Sequence, residues 1–303
     1  MKILICGETG LIGSALSELC LRENHQIHYL TTRKSKIEAS ENRKGFLWNP
    51  AEGEIDEACF EGVDVIVNLS GANIAKRWTE TYKEEILSSR VDTANVLFKA
   101  LRNKKNHTIK QYVSASGTAI YPSSLTETYS EDIENPAEDF LGSVVKQWEL
   151  HASQFKSLEI PVTILRTGLV FASNGGALVE MVKPVKYGVG AAIGSGKQWQ
   201  SWIHIEDIAR IYFHVLTNNI KGVYNAVAPN PTTNKLLTKE IASVLKKPFF
   251  MPNVPKFMMK LILGEMSTLL LSSQKVHSEK IENTGFKFHY PALTPALENI
   301  LKK

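Results

Sequence analysis

The chain opens "MKILICGETGLIGSALSEL", Met1 to Leu19. An apolar run ends at Cys6, and three glycines follow at intervals of three: Gly7, Gly10 and Gly13. Apolar residues then recur at helical spacing. A strand that stops on glycines and turns at once into a helix brings its backbone close to a bound anion. The helix start offers free N–H groups and the positive end of its dipole. Gly7 allows the tight turn, Gly10 the close approach and Gly13 the packing of helix on strand, with Thr9 inside the same loop. Three glycines alone are weak evidence. Here they follow a first strand and open an α/β unit, the context that a dinucleotide pyrophosphate site requires.

The residues beyond the second strand decide between dinucleotides. A carboxylate about 20 residues after the glycines would bind a ribose 2′-hydroxyl. "YLTTRKSK" has Thr31, Thr32, Arg33, Lys34 and Lys36 instead. A guanidinium can grip a 2′-phosphate that a carboxylate would repel. The expected cofactor is therefore NADP, with NADPH preferred over NADH and Arg33 as the discriminating cation. A further strand, "VDVIVNLSGANI", ends in Leu69, Ser70 and Gly71, small enough to pass close to the adenosine side.

Strand candidates "KILIC", "QIHYLTT", "VDVIVNLS", "KQYVSAS" and "PVTILRTGLVF" alternate with helix-length amphipathic segments. Most are apolar throughout, as parallel strands covered on both faces are. The expected class is α/β: a Rossmann-like doubly wound parallel sheet with a smaller C-terminal α/β substrate lobe. Residues 1–170 are expected to form the cofactor domain, with segments around 200–228 able to return to it. Residues 171–303, richer in Gly and Pro, would form the second lobe.

Composition limits the rest. The 303 residues carry 35 basic and 31 acidic side chains, a net charge of +4 with no long basic run, so no nucleic-acid partner is expected. Cys6, Cys20 and Cys59 are odd in number and lack metal-ligand spacing, so neither disulfide nor metal is expected, and the setting reads as reduced and cytoplasmic. The N-terminus enters a strand directly, so no leader is expected. The stretch "VPKFMMKLILGEMSTLLLSS" is interrupted by Lys256, Lys260 and Glu265. It falls short of the roughly 20 apolar residues of a membrane span and reads as an amphipathic core helix. The expected partner is a small-molecule substrate, without a membrane; a homo-oligomer is compatible with the sequence.

The motifs "GETGLIGSAL", "NLSGANI", "SSRVDT", "SASGTAIYP", "LRTGLVF", "GSGKQWQSWIHIEDIA", "NAVAPNPTTN" and "LGEMSTLLLSSQKV" occur together over essentially the whole chain. In that order they resemble the extended short-chain dehydrogenase/reductase superfamily, in its atypical "epimerase family" branch related to nucleoside-diphosphate-sugar epimerases. From about Pro252 the chain resembles that branch's small C-terminal domain of unknown function. The resemblance implies NADP binding and a C-terminal substrate lobe. It puts Gly7, Gly10, Leu11, Ile12 and Gly13 on the pyrophosphate loop and Arg33 at the adenine-side phosphate. It puts Leu69, Ser70 and Gly71 on the next cofactor loop, Arg90 with Thr93 on the helix that follows, and Gly168 with Leu169 beside the nicotinamide.

The catalytic pattern of the superfamily is broken here. Its Tyr-x-x-x-Lys helix lets a lysine charge lower the pKa of a tyrosine acid/base. No tyrosine of this chain has a lysine four residues on. Aligned on Glu149, the two positions fall on Leu141 and Val145, and Lys146 lies about 100° around the helix. The hydroxyl element survives in "SASGTAIYP", where Ser116 is the best candidate, Thr118 the next, and Tyr121 an acid without a lysine to tune it. In "QWQSWIHIED", Trp199, Trp202 and His204 suit a substrate pocket, or the tryptophans are core and Asp207 caps the next helix. Two readings follow. One is an NADP-dependent oxidoreductase or epimerase-like enzyme on a small carbonyl or sugar-like substrate. The other is a non-catalytic NADP-binding regulator that engages a partner.

Overall fold

Alternate residues of the opening strand face opposite sides of one sheet. In β1 (Lys2–Cys6), Ile3 and Ile5 join one apolar cluster, while Leu4 and Cys6 join another. A strand apolar on both faces must be covered on both, and it lies in the middle of the sheet. The computed structural model describes residues 1–104 and 107–302. Its remaining strands are β2 (Gln26–Thr31), β3 (Arg43–Asn49), β4 (Glu54–Ile55), β5 (Val65–Asn68), β6 (Gln111–Gly117), β7 (Thr128–Tyr129), β8 (Val162–Thr167), β9 (Leu169–Phe171), β10 (Trp199–Gln200), β11 (Trp202–His204), β12 (Gly222–Ala226), β13 (Thr232–Thr233) and β14 (Lys275–Val276).

The main sheet has eight strands in the order β12-β8-β6-β5-β1-β2-β3-β4. All are parallel except the last, which pairs antiparallel to β3. The chain winds outward from β1 through β2 and β3, then restarts at β5 on the other side of β1. That reversal opens a crevice at the carboxyl ends of β1 and β5, where open α/β sheets bind ligands. The helices are α1 (Leu11–Arg22), α2 (Glu80–Asn103), α3 (Phe140–Ser153), α4 (Gly176–Lys186), α5 (Ile205–Thr217), α6 (Asn234–Val244), α7 (Lys256–Leu263), α8 (Thr268–Leu271), α9 (Glu279–Glu282) and α10 (Leu293–Leu301). Leu16 and Cys20 of α1 and Ile208, Ile211 and Val215 of α5 cover one face of the sheet. Leu97 and Leu101 of α2 and Ala152 of α3 cover the other.

A second core joins α4, α6 and α10 around Phe171 and Trp202, whose rings stack at 5.4 Å. Short strand pairs, β9 with β11, β10 with β13 and β7 with β14, stitch this part to the main body.

Three elements differ from the sequence expectation. Strand β3, "RKGFLWN", mixes charge and glycine and lacks the apolar run of its neighbours, yet it pairs along β2. Strand β12 is not among the strand candidates, although it falls within the 200–228 stretch able to return to the cofactor domain; it is five residues long and pairs with β8 at the far edge. The stretch expected as a core helix is broken: α7 ends at Gly264, where φ is +58°, and no residue of α7 is buried. The three cysteines are free and buried.

Candidate dinucleotide site

The glycine loop meets the β5 loop across the crevice. Gly7 has φ +80°, and a Cβ there would lie 2.9 Å from the Leu69 carbonyl carbon. The conformation and the contact both exclude a side chain. The Gly10 N–H donates to the Gly7 carbonyl at 3.0 Å and closes the turn. A Cβ on Gly13 would lie 2.3 Å from the Gly7 oxygen, so this glycine lets α1 seat on its own loop. Gly10 caps α1 without a side chain, and the first turn carries no acid. The first N–H groups of a 12-residue helix are thus presented to the crevice.

A cavity of about 580 Å³ opens there, walled by Gly7, Thr9, Ser70 and Gly71 on one side and by Thr32 and Arg33 on the other. Lys36, Trp48 and Asn49 also line it, as do Glu85, Ser88, Asp92 and Thr93 of α2. Ser88, Asp92 and Thr93 belong to the "SSRVDT" motif, and Thr93 lines the cavity as the resemblance implies; the residues of β3 carried no sequence motif, and "FLWNPA" at its end was the available signal. Two acids near the cation wall are engaged by Arg43, while Glu85 and Asp92 of α2 remain in the lining. Glu8, in the glycine loop, is 6% exposed and accepts from Arg43 at 3.1 and 3.2 Å. Glu38 accepts from the same guanidinium at 2.7 Å.

Arg90 does not line this cavity. It is 8% exposed and lies over the Trp148 ring, 4.8 Å from its centroid. Its guanidinium donates to the carbonyls of Ile86 at 2.7 Å and Ala72 at 3.3 Å. A Cβ on Gly71 would lie 3.0 Å from Arg90 Cζ. Arg90 thus props the loop of Leu69–Gly71 from below, and burial lowers its pKa to about 10. Asn68 shapes the same loop by accepting from the Ser70 N–H at 3.1 Å. Leu11 and Ile12 face the protein: Leu11 approaches Gly175 and Gly176 at the start of α4, and Ile12 packs on the sheet. Gly168 admits the Ser201 carbonyl, which a Cβ would meet at 2.4 Å. Leu169 packs on the second core.

The hydroxyl loop sits over a buried polar chain. Ser116 Oγ donates to Glu149 Oε1 at 2.6 Å. Arg166 donates to both oxygens of Glu149, at 2.8 and 2.9 Å, and to the Tyr121 hydroxyl at 3.0 Å. Tyr121 in turn donates to Asn225 Oδ1 at 2.6 Å, and the Asn225 N–H donates to Glu131 at 2.7 Å. The Tyr121 side chain is 0% exposed and stacks on Tyr129. Burial, partly offset by Arg166, raises its pKa to about 12. A phenol so enclosed does not face the crevice, so the tyrosine expected as an acid is a packed internal residue. Ser116 is 4% exposed, whereas Thr118 is half-buried. Val145 packs beside Tyr121, and Lys146 points to solvent.

The aromatic pocket expected around Trp199, Trp202 and His204 does not assemble. Trp202 is in the second core, and its indole N–H donates to the Asn230 carbonyl at 2.9 Å. His204, not Asp207, caps α5 by accepting from the Glu206 N–H at 3.1 Å, and it stacks on Tyr290. Asp207 is fully buried and accepts the N–H groups of His289 and Tyr290, each at 2.8 Å. Trp199 is half-buried, under Lys275. Among the described residues no group of three or more His, Cys, Asp or Glu is placed to hold a metal, and no helix is long and apolar enough to cross a membrane.

A doubly wound sheet with a glycine loop at its switch point defines a Rossmann-like nucleotide-binding protein. Residues 3–226 match the NAD dependent epimerase/dehydratase family, and residues 254–300 match a domain of unknown function, DUF1731. The chain belongs to the NAD-dependent epimerase/dehydratase family, in the group called epimerase family proteins. It is 37% identical over 303 residues to an epimerase family protein of Staphylococcus aureus strain MRSA252, covering 100% of this chain and 99% of the relative. It is similar to the crystal structure of human epimerase family protein SDR39U1 (isoform 2) with NADPH, at 33% identity and TM-score 0.86, over 100% and 99% of the two chains. A nucleoside-diphosphate sugar epimerase of Corynebacterium glutamicum aligns at 26% identity and TM-score 0.79, over 99% of this chain and 58% of that one.

Proposed function

We propose that the protein is an NADPH-preferring oxidoreductase or epimerase-like enzyme acting on a small carbonyl or sugar-like substrate. The observation that carries the cofactor preference is the cation pair Arg33 and Lys36 on the cavity wall, with Glu8 and Glu38 both drawn away by Arg43. The human relative was solved with NADPH, which supports the same reading. The cofactor would be held by the glycine loop, the N–H groups of α1 and Arg33. When bound, it would supply or accept a hydride.

The chain's own contribution to proton movement would rest on Ser116 and Thr118. Ser116 donates its hydroxyl hydrogen bond to Glu149, which leaves its lone pairs to accept from a ligand. Thr118, at the loop surface, is the hydroxyl free to donate. Glu149 and Arg166 act as positioning residues that fix Ser116, and Tyr121 anchors Arg166 from behind. One observation favours the second reading, a non-catalytic NADP-binding regulator: the tyrosine nearest the loop is sealed in the core.

Titration of NADPH and NADH into wild type and Arg33→Ala tests the cofactor reading. Wild type should prefer NADPH, and Arg33→Ala should lose about 10- to 150-fold of NADPH affinity, equivalent to one charge-assisted contact of about 1.5–3 kcal/mol. NADH affinity should hardly change. Equal wild-type affinities would overturn it. A screen of aldehydes, ketones and nucleotide sugars with NADPH separates the two functional readings, since the regulator predicts tight binding and no turnover.

A further inference from the structure

Helix α7 turns its apolar side outward. Phe257 is 69% exposed, Leu261 84% and Ile262 66%, with Met258 beside them. Positions 257, 258, 261 and 262 form one stripe of a helix, and the half-buried Met259 and Leu263 fall on the opposite side, toward the protein. A globular surface helix normally packs its apolar stripe inward. This one holds on by the narrow side and leaves the wide one unpartnered.

The segment between α4 and β10 runs alongside the chain that leads into α7. Ile193 bridges Val254, with the Val254 N–H donating to Ala192 and the Gly194 N–H to Val254, each at 2.8 Å. These two neighbouring segments have an unusual charge pattern. No Asp or Glu occurs between Glu180 and Glu206, or between Glu240 and Glu265. Lys186, Lys197, Lys246, Lys247, Lys256 and Lys260 are all exposed there. Among the described residues, none of these six is ion-paired; the lysine pairs involve Lys83, Lys110, Lys183 and Lys302. The exposed Tyr187 and Phe250 belong to the same segments.

We propose that this face docks peripherally on an anionic bilayer surface. Phe257, Leu261 and Ile262 would enter the boundary between headgroups and acyl chains, while the lysines reach the phosphate layer along their apolar stems. A second copy of the chain fits less well. A two-fold contact sets the same lysine-fringed patch on both sides, cation against cation, and neither segment carries an acid between Glu180 and Glu206 or between Glu240 and Glu265 to answer them. A polyanion such as nucleic acid would satisfy the lysines but leave the apolar stripe in water.

The test is sedimentation of the full chain with vesicles of phosphatidylcholine alone or mixed with phosphatidylserine, at low and high salt. Binding should require phosphatidylserine and weaken with salt. Lys256→Gln with Lys260→Gln should lower partitioning by about 10- to 30-fold, since each surface cation contributes about 1 kcal/mol. Phe257→Ser with Leu261→Ser should abolish binding without altering the salt dependence of any residual fraction. Circular dichroism and urea denaturation of the same preparations report folding without any cofactor and keep this test separate from the cofactor reading. No binding, equal binding to neutral vesicles, or unchanged binding by both variants overturns the proposal. So does concentration-dependent dimerisation, lost in the serine variant, without vesicle binding.

Discussion

At the scale of single residues, the three glycines of the opening loop are not equivalent. Gly10 has extended backbone, φ −79° and ψ 173°, and its Cβ position meets only the Gly7 oxygen, at 3.1 Å. A valine there is accommodated by the chain but fills the space before the helix N-terminus. Gly10→Val should therefore keep the urea midpoint within about 1 kcal/mol of stability and lose on the order of 100-fold or more in NADPH affinity. Gly13→Ala should behave in the opposite way. Its Cβ would press on the backbone of Gly7 and Glu8 at 2.3 and 2.7 Å, a strain of about 1–3 kcal/mol or more. Denaturation and titration of both variants check this; a Gly13→Ala protein as stable as wild type would refute the packing role. This loop was legible in the sequence because its requirement is local, glycines at fixed offsets between strand and helix. Arg90 and Tyr121 were not legible in the same way. Tyr121 bonds to Asn225, 104 residues distant, and nothing near either residue announces the partner.

At the scale of elements, β6, α3 and β8 are locked together by the chain Ser116–Glu149–Arg166. Side-chain exposure of 6% for Arg166 and 14% for Glu149 makes this a buried pair. Removing one partner of such a pair costs about 3–5 kcal/mol, because the other is left charged and unpaired, whereas replacing both with apolar groups can be nearly neutral. Glu149→Ala should lower stability by that amount. The double variant Glu149→Leu with Arg166→Met should recover most of it, measured by urea denaturation. Additive losses would show that the two side chains act independently. The pattern of elements was mostly written in apolar runs, which is why β1, β2, β5, β6 and β8 stood out. Strand β3 did not, since its charged residues sit near a sheet margin where burial is partial, as the exposed Lys44 shows, and Gly45 is buried against the Tyr29 ring without adding an apolar side chain. The stretch containing α7 misled for a related reason: amphipathicity reveals a stripe but not which way the stripe faces.

At the scale of the whole molecule, buried titratable groups set the range of pH over which the fold is stable. Burial raises the pKa of Cys6, Cys20 and Cys59 and of Tyr112, Tyr121 and Tyr212, which lie on both faces of the sheet. Each is an acid that ionises later in the native chain than in the unfolded one. Its contribution is fully present below the unfolded values of 9.0 for cysteine and 10.0 for tyrosine, and is lost as pH rises toward the native value, about 12 for Cys20 and Tyr121. On the acid side, burial lowers the pKa of His28, whose Nδ1–H donates to the Cys59 carbonyl at 2.7 Å, and of His214. A depressed histidine contributes stability above its unfolded value of 6.5 and loses it as pH falls through the native one. The urea midpoint should therefore show a plateau from about pH 7 to 9, bounded by a gentle acid decline and a steeper alkaline one. Tyr121→Phe should flatten part of the alkaline limb, since it removes one late-ionising acid, while its lost hydrogen bonds to Arg166 and Asn225 lower the plateau itself. A wild-type midpoint that stays level to pH 12, or a Tyr121→Phe limb as steep as wild type, would show that these buried acids do not govern alkaline unfolding.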